Sequence, residues 1–297
     1  MARRFLALVA LLALALLTAA CGTPSNKVLL SKTRPKLTRI GSLPQAISKA
    51  AAVSLPNGRM MIFGGLVGNV SIDTVLAGAP HKLQVVGHLP QPTHDAAAAR
   101  LGNVVYLFGG GAATSTATIV VFKAGGGKAI HAGTLIEPLS DLGAVAIGGK
   151  AYLVGGYTGT QYATAILRYG PATDTVVARL PRGLRYAGVA AIGRTIYVAG
   201  GLTTSGPSRA IYAFPLGEKV RRIGTLPRPE AHAALAALAG TLYYVGGRTI
   251  LAIDPHTGKS SIAAHLPRSL SDATATTVAH EIAIAGGGTS GVWAFTP

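Results

Sequence analysis

Residues 150–156 read Lys150-Ala151-Tyr152-Leu153-Val154-Gly155-Gly156, and residues 195–201 read Thr195-Ile196-Tyr197-Val198-Ala199-Gly200-Gly201. Each is a short run of apolar and aromatic residues, entered through a tight-turn pair (Gly148-Gly149, Gly193-Arg194) and ended by a glycine doublet. Such a run, bounded by glycine, reads as a β-strand. The doublet recurs at 64/65, 109/110, 155/156, 200/201, 246/247 and 286/287, with spacings of 45, 46, 45, 46 and 40 residues. A second marker keeps the same phase: Leu43-Pro44, Leu89-Pro90, Leu135-Ile136, Leu180-Pro181, Leu226-Pro227 and Leu266-Pro267. Two independent markers sharing one period define a repeated unit.

Within a unit, Asn57-Gly58, Gly102-Asn103, Gly148-Gly149 and Gly193-Arg194 supply the positive φ that a two-residue hairpin between first and second strands requires. A third strand follows each doublet after a loop: 119–122, 165–169, 211–214, 249–253 and 292–295. A fourth runs into the Leu-Pro marker. Four short strands in about 45 residues is the arithmetic of a propeller blade, so the predicted fold is all-β, a six-bladed β-propeller of four-stranded blades. The last unit stops at Pro297 after its third strand, while Lys36-Leu37-Thr38-Arg39-Ile40-Gly41-Ser42-Leu43-Pro44 matches the fourth strand Lys219–Pro227 and has no blade of its own. Pairing these ends closes the ring and removes an open edge. The doublets read as structural, placed where only glycine allows close backbone approach.

An apolar strand ending in Gly-Gly at this spacing resembles the kelch-type β-propeller, and the resemblance covers residues 36–297. Asp254-Pro255-His256-Thr257-Gly258 is similar to that family's turn between third and fourth strands. The family's fourth-strand Trp is missing from every blade, Trp293 falling on a third strand, so these are divergent kelch units.

Ahead of the repeats, Arg3 and Arg4 precede an apolar run from Phe5 to Leu17, then Thr18-Ala19-Ala20 and Cys21, the layout of an export signal. The run is too short to span a bilayer. Ending it at the chain's only Cys resembles a bacterial lipobox, which implies cleavage before Cys21 and a lipid on its sulfur. An ordinary signal-peptidase site nearby is the other reading, and Arg3-Arg4-Phe5-Leu6 stands one residue off a twin-arginine pattern. The expected organisation is a signal peptide over 1–20, a lipid-anchored linker over 21–35 and the propeller over 36–297, held outside the cytoplasm on a membrane. The chain's 27 Lys and Arg face 10 Asp and Glu, and losing residues 1–20 removes only two arginines, leaving +15. That excess favours anionic partners.

In a four-stranded blade the segment after each Leu-Pro shares a face with the loop after each Gly-Gly, and variable loops on a rigid scaffold are where sites belong. The loops are long in the first four units (66–74, 111–118, 157–164, 202–209) and very short in the last two, which predicts a surface notched on one side. The five residues after each marker hold Asp95, Glu137, Asp141, Glu230 and Asp272, half of the chain's 10 acids. Alignment puts Lys49, Asp95, Asp141, Tyr186, His232 and Asp272 at one equivalent position before the innermost strand, where six copies converge on the channel mouth. His94 and Arg185 sit one residue earlier, and Gln45, Gln91, Glu137, Arg182, Arg228 and Arg268 form an outer ring. Converging ionisable groups of both signs suit a polar ligand or an acid–base pair, and equally the solvated mouth of a water-filled channel. The remaining Tyr and Phe fall mostly inside strands and read as core.

No His pair has metal-ligand spacing and Cys21 is the only thiol, so neither a metal nor a cofactor is expected. Nucleophile-elbow, phosphate-loop and dinucleotide signatures are absent. Two functions remain. One is a non-enzymatic binding or scaffolding module for a protein, glycan or anionic envelope polymer. The other follows from the kelch resemblance: a sugar-processing enzyme similar to kelch-type sialic acid mutarotases, with Arg185, His232, Asp95 and Arg228 as the analogous residues. Charge without a reader motif makes nucleic acid an unlikely partner.

Overall fold

Alternating side chains and left-handed turns dictate the local structure. Asn57 and Gly58, at φ of 59° and 68°, join Ala51–Leu55 to Arg59–Phe63 as a hairpin. In blades five and six the non-glycine residues Ala239 and Ala279 take up that conformation, at φ of 49° and 52°. The computed structural model describes residues 34–170 and 174–297, and contains strands and turns but no helix among them. The expected signal peptide, Cys21 and the linker up to residue 33 lie outside the described residues.

The strands form six blades. In blades one to four the order within each sheet follows the chain: for blade one Ala51–Leu55, Arg59–Phe63, Thr74–Ala79, Lys82–His88. Blade six is assembled from both ends of the propeller. Lys36–Ile47 pairs antiparallel with Thr289–Thr296, Lys36 opposite Thr296 and Arg39 opposite Trp293, and completes a four-stranded sheet. Blade five departs from the expected strand–loop–strand pattern. Thr241–Ile253 is one uninterrupted span whose first half pairs with Ala234–Leu238 and whose second half pairs with Ser260–Leu270. No loop separates the fifth doublet from its third strand, so Gly247 faces Leu270 in the sheet itself. In the same way Ile47, beyond the Leu-Pro marker, pairs with Thr289 in blade six. Where the loop is missing, the following segment takes the vacated pairing.

The core is divided. Buried apolar side chains fall into six clusters, each between two neighbouring blades. Phe63 of blade one meets Phe122 of blade two edge to face, with centroids 6.1 Å apart. The closing strand seals two of these seams, Leu37 packing toward blade five and Leu43 and Ile47 toward blade one.

In blades one to four the doublets stitch each blade to the next. Gly155 and Gly156 take φ of 62° and 111°, and the Gly156 N–H donates to the Leu184 carbonyl at 2.7 Å in the connection leading to blade four. A Cβ on Gly155 would collide with that carbonyl, and one on Gly156 would lie 2.8 Å from the Ser140 carbonyl. Gly65, Gly110 and Gly201 donate in the same way to Thr93, Leu139 and Glu230.

Candidate functional site at the channel mouth

The innermost strand of every blade pairs on one side only, so its free edge faces the central channel. Below the mouth the lining is rich in small side chains, with alanines from every blade. Backbone N–H and C=O groups along such an edge offer water hydrogen-bond partners in an alanine-lined passage.

Just above these strands the chain does something the sequence did not advertise. Lys49, Asp95, Asp141, Tyr186, His232 and Asp272 all adopt left-handed backbone conformations, with φ between 54° and 62°. Each donates its N–H to the carbonyl of its equivalent in the preceding blade: Asp95 to Lys49, Asp141 to Asp95, Tyr186 to Asp141, His232 to Tyr186, Asp272 to His232 and Lys49 to Asp272, at 2.8–3.1 Å. Six backbone hydrogen bonds thus close a circle around the channel. A left-handed L-residue costs about 1–2 kcal/mol, less for Asp and His than for Lys or Tyr. Glycine would make this collar most cheaply, yet no position in it is glycine.

The six collar side chains line one cavity of about 180 Å³. Lys49 Nζ lies 3.1 Å from Asp95 Oδ2 and 3.1 Å from Tyr186 Oη. The Tyr186 hydroxyl also faces Asp95 at 3.4 Å and receives a hydrogen bond from Arg185 Nη2 at 2.9 Å. Arg185 is paired with Asp141, whose side chain is 1% exposed. Its guanidinium is caged by Tyr157, Tyr186 and Tyr162, 4.4, 4.6 and 5.5 Å from the ring centroids. On the other side His232 Nδ1 is 2.6 Å from Asp272 Oδ1, Ser271 donates to the second Asp272 oxygen at 3.0 Å, and the His232 ring lies against Tyr186 with centroids 3.9 Å apart. His94 bonds Ser71 through Nδ1 at 2.9 Å and turns Nε2 toward Asp95 at 3.6 Å.

These neighbours shift the titrations. Burial and the facing carboxylate of Asp141 push Asp95 up to about 7, against the pull of Lys49. Burial works against the Lys49 ammonium, but Asp95 and Tyr186 outweigh it and hold it above its ordinary value. Burial, with the charges of Asp95 and Asp141, pushes Tyr186 up to about 12. Burial and then Lys49 keep His94 below its usual value. Arg185 stays charged because Asp141 and Tyr186 offset its burial. The cluster therefore holds matched charges and a carboxyl group able to keep a proton near neutrality.

The fold resembles known propellers. No protein-family model matches the chain, and no curated protein does. Among solved structures it is similar to that of YjhT, with a TM-score of 0.73 over 86% of this chain and 95% of that one, at 14% identity. At that identity the likeness speaks for the fold alone.

Of the residues singled out from sequence, Lys49, Asp95, Asp141, Tyr186, His232 and Asp272 line the cavity, with His94 and Arg185 touching them from one residue earlier. Arg228 and Arg268 do not join them. Both are exposed on the outer ring, away from the cavity lining, and Arg228 acts on Glu230 instead. The physical reason is their position four residues before the collar, where the connection is still outside the channel. Tyr157 and Tyr162, expected among the core aromatics, instead pack on Arg185 beside the candidate site. The available signal was their place in the loop after the third doublet rather than in a strand. Loops stand above blades one to four, two of them folded into the small hairpins Leu66–Val67 with Val70–Ser71 and Leu202–Thr203 with Gly206–Pro207, and are missing above blades five and six. Among the described residues no group of three His, Cys, Asp or Glu side chains is placed to hold a metal ion.

Proposed function

We propose that this chain is an exported, membrane-tethered propeller of divergent kelch type that acts as a binding module, and that its channel mouth takes up a small hydroxyl-bearing molecule such as the terminal unit of a glycan. The observation that carries this reading is the collar. Six residues with ionisable or aromatic side chains occupy positions where glycine would be least strained, and strain retained at a mouth is characteristic of sites. Because Arg185 is already matched by Asp141 and Lys49 is held by Asp95 and Tyr186, an incoming ligand need not bring a charge. Donors and acceptors of both kinds around a cavity suit hydroxyl groups.

A second reading, a sugar-processing enzyme, is favoured by Asp95. A carboxyl group held near 7 can give or take a proton at neutral pH, and His232 is oriented by Asp272 across the same cavity.

Thermal unfolding of residues 22–297 in the presence of neutral monosaccharides, acidic sugars and anionic polymers tests both. A ligand at a hundred times its Kd stabilises by about 2.7 kcal/mol. The binding reading predicts a salt-insensitive shift with a monosaccharide that Tyr186→Ala and Asp141→Asn abolish. No shift with any sugar, or a shift that both variants retain, would sink it. Faster interconversion of sugar anomers by the protein, lost in Asp95→Asn, would raise the enzyme above the module.

A further inference from the structure

The outermost strands of the six blades are Lys82–His88, Ile130–Thr134, Thr175–Arg179, Arg221–Thr225, Ser260–Leu270 and Lys36–Ile47. Together they carry seven Lys and Arg and not one Asp or Glu. The same strands hold four of the six exposed large hydrophobic side chains, Val85 at 52%, Ile130 at 57%, Val176 at 40% and Ile262 at 57% exposure. Edge strands use cations to refuse a second copy, but that purpose does not need exposed apolar residues beside them.

The arc centred on blade six is where the chain from Cys21 arrives. Lys36 and Arg39 open the closing strand, Leu37 joins the seam cluster that also takes Ala263 and Ala264 of blade five, and Ile40 joins the one that takes Leu83 of blade one. The rim there exposes Lys36, Arg39, Lys82 and Lys259, with Val85 and Ile262 on the flanking blades. The acid nearest in sequence, Asp254, is engaged by the backbone N–H groups of His256 and Thr257 at 2.8 and 3.0 Å. Lys36 stands fifteen positions after Cys21, a reach of at most about 50 Å when fully extended.

We propose that this arc of the propeller rim, around Lys36, Arg39 and Lys82, docks on an anionic membrane surface, so that the body rests edge-on against phosphate-bearing headgroups. Charge complementarity supplies the attraction, and the isolated apolar side chains suit the headgroup boundary. With blade six toward the lipid, the channel mouth opens along the surface and stays accessible.

The test uses residues 22–297, which lack Cys21, so that the rim is read separately from any lipid anchor. Sedimentation with vesicles of phosphatidylcholine alone is compared with vesicles also containing phosphatidylglycerol, at low and physiological salt. The expected result is salt-sensitive binding to the anionic vesicles only. Lys36→Glu/Arg39→Glu/Lys82→Glu should weaken it on the order of a hundredfold, while Lys150→Glu/Arg168→Glu/Arg179→Glu on blade three, an equal change of charge, should weaken it far less. Glutamine replacements serve if the glutamate variant fails to fold. Equal losses from both triples, no preference for anionic vesicles, or retention on an anionic polymer without vesicle binding would each overturn the proposal.

Discussion

Replacing Asp95 by Asn should flatten the dependence of stability on pH. The Asp95 side chain is 8% exposed and its carboxyl group is pushed up to about 7, whereas in the unfolded chain it titrates near 3.8. A carboxyl group whose folded value is raised binds its proton more tightly in the native state. It therefore contributes stability that is complete below the unfolded value and is lost as pH rises through the folded one. Between pH 5 and 7 the unfolded chain is already ionised while the native one is not, and each pH unit is worth about 1.4 kcal/mol. Wild-type stability should fall by about 2–3 kcal/mol from pH 5 to pH 8, or roughly 5–10 °C in Tm for a chain of this size. Glu230 and Asp174 are also raised and add to the slope, and His94, which is lowered, opposes it. The informative quantity is consequently the difference between wild type and Asp95→Asn in urea unfolding at each pH. That difference should change by 2–3 kcal/mol across the window, and Asp141→Asn, which removes the facing carboxylate, should move its midpoint down. Wild type and Asp95→Asn falling in parallel would refute the placement of that proton.

Gly156→Val should destabilise by about 1–3 kcal/mol or more in chemical denaturation, because a Cβ there meets the Ser140 carbonyl at 2.8 Å and Leu142 Cβ at 3.0 Å with φ at 111°; an unchanged midpoint would remove the stitching role. Deleting residues 36–47 exposes Thr289–Thr296 as an open edge and strips Leu43 and Ile47 from the seam with blade one, so the shortened body should lose its cooperative melt and self-associate in light scattering. Arg185→Ala leaves Asp141 without its cation at 1% exposure and should cost about 2–4 kcal/mol, whereas Arg185→Ala/Asp141→Asn should cost less than the single change; additive effects in that double-mutant cycle would show that the pair is not coupled.

The repeat was legible in the chain because a propeller blade is a local object. Its strands are neighbours in sequence, its turns need particular φ angles, and the Gly155-Gly156 type of doublet marks a contact that recurs at the four seams from blade one to blade five. The closing strand was legible for the same reason, since 36–44 closely matches 219–227. Alignment of the units also located the six mouth positions from Lys49 to Asp272. What the residues there do to one another depends on distances between blades 46, 91 or 137 positions apart in the chain, and no local pattern encodes those. The circle of backbone hydrogen bonds, the left-handed conformation of Lys49 and Tyr186, and the tyrosine cage of Arg185 exist only once the ring has closed. The continuous strand of blade five has a similar origin, since Gly247, at a left-handed φ of 53°, bridges its two halves only where Leu270 stands opposite to pair with it. Sequence by itself determined the blades and their number, because strand and turn preferences act over a few residues. Tertiary structure decided which charges meet and where a proton rests, because Coulomb forces and burial act through space.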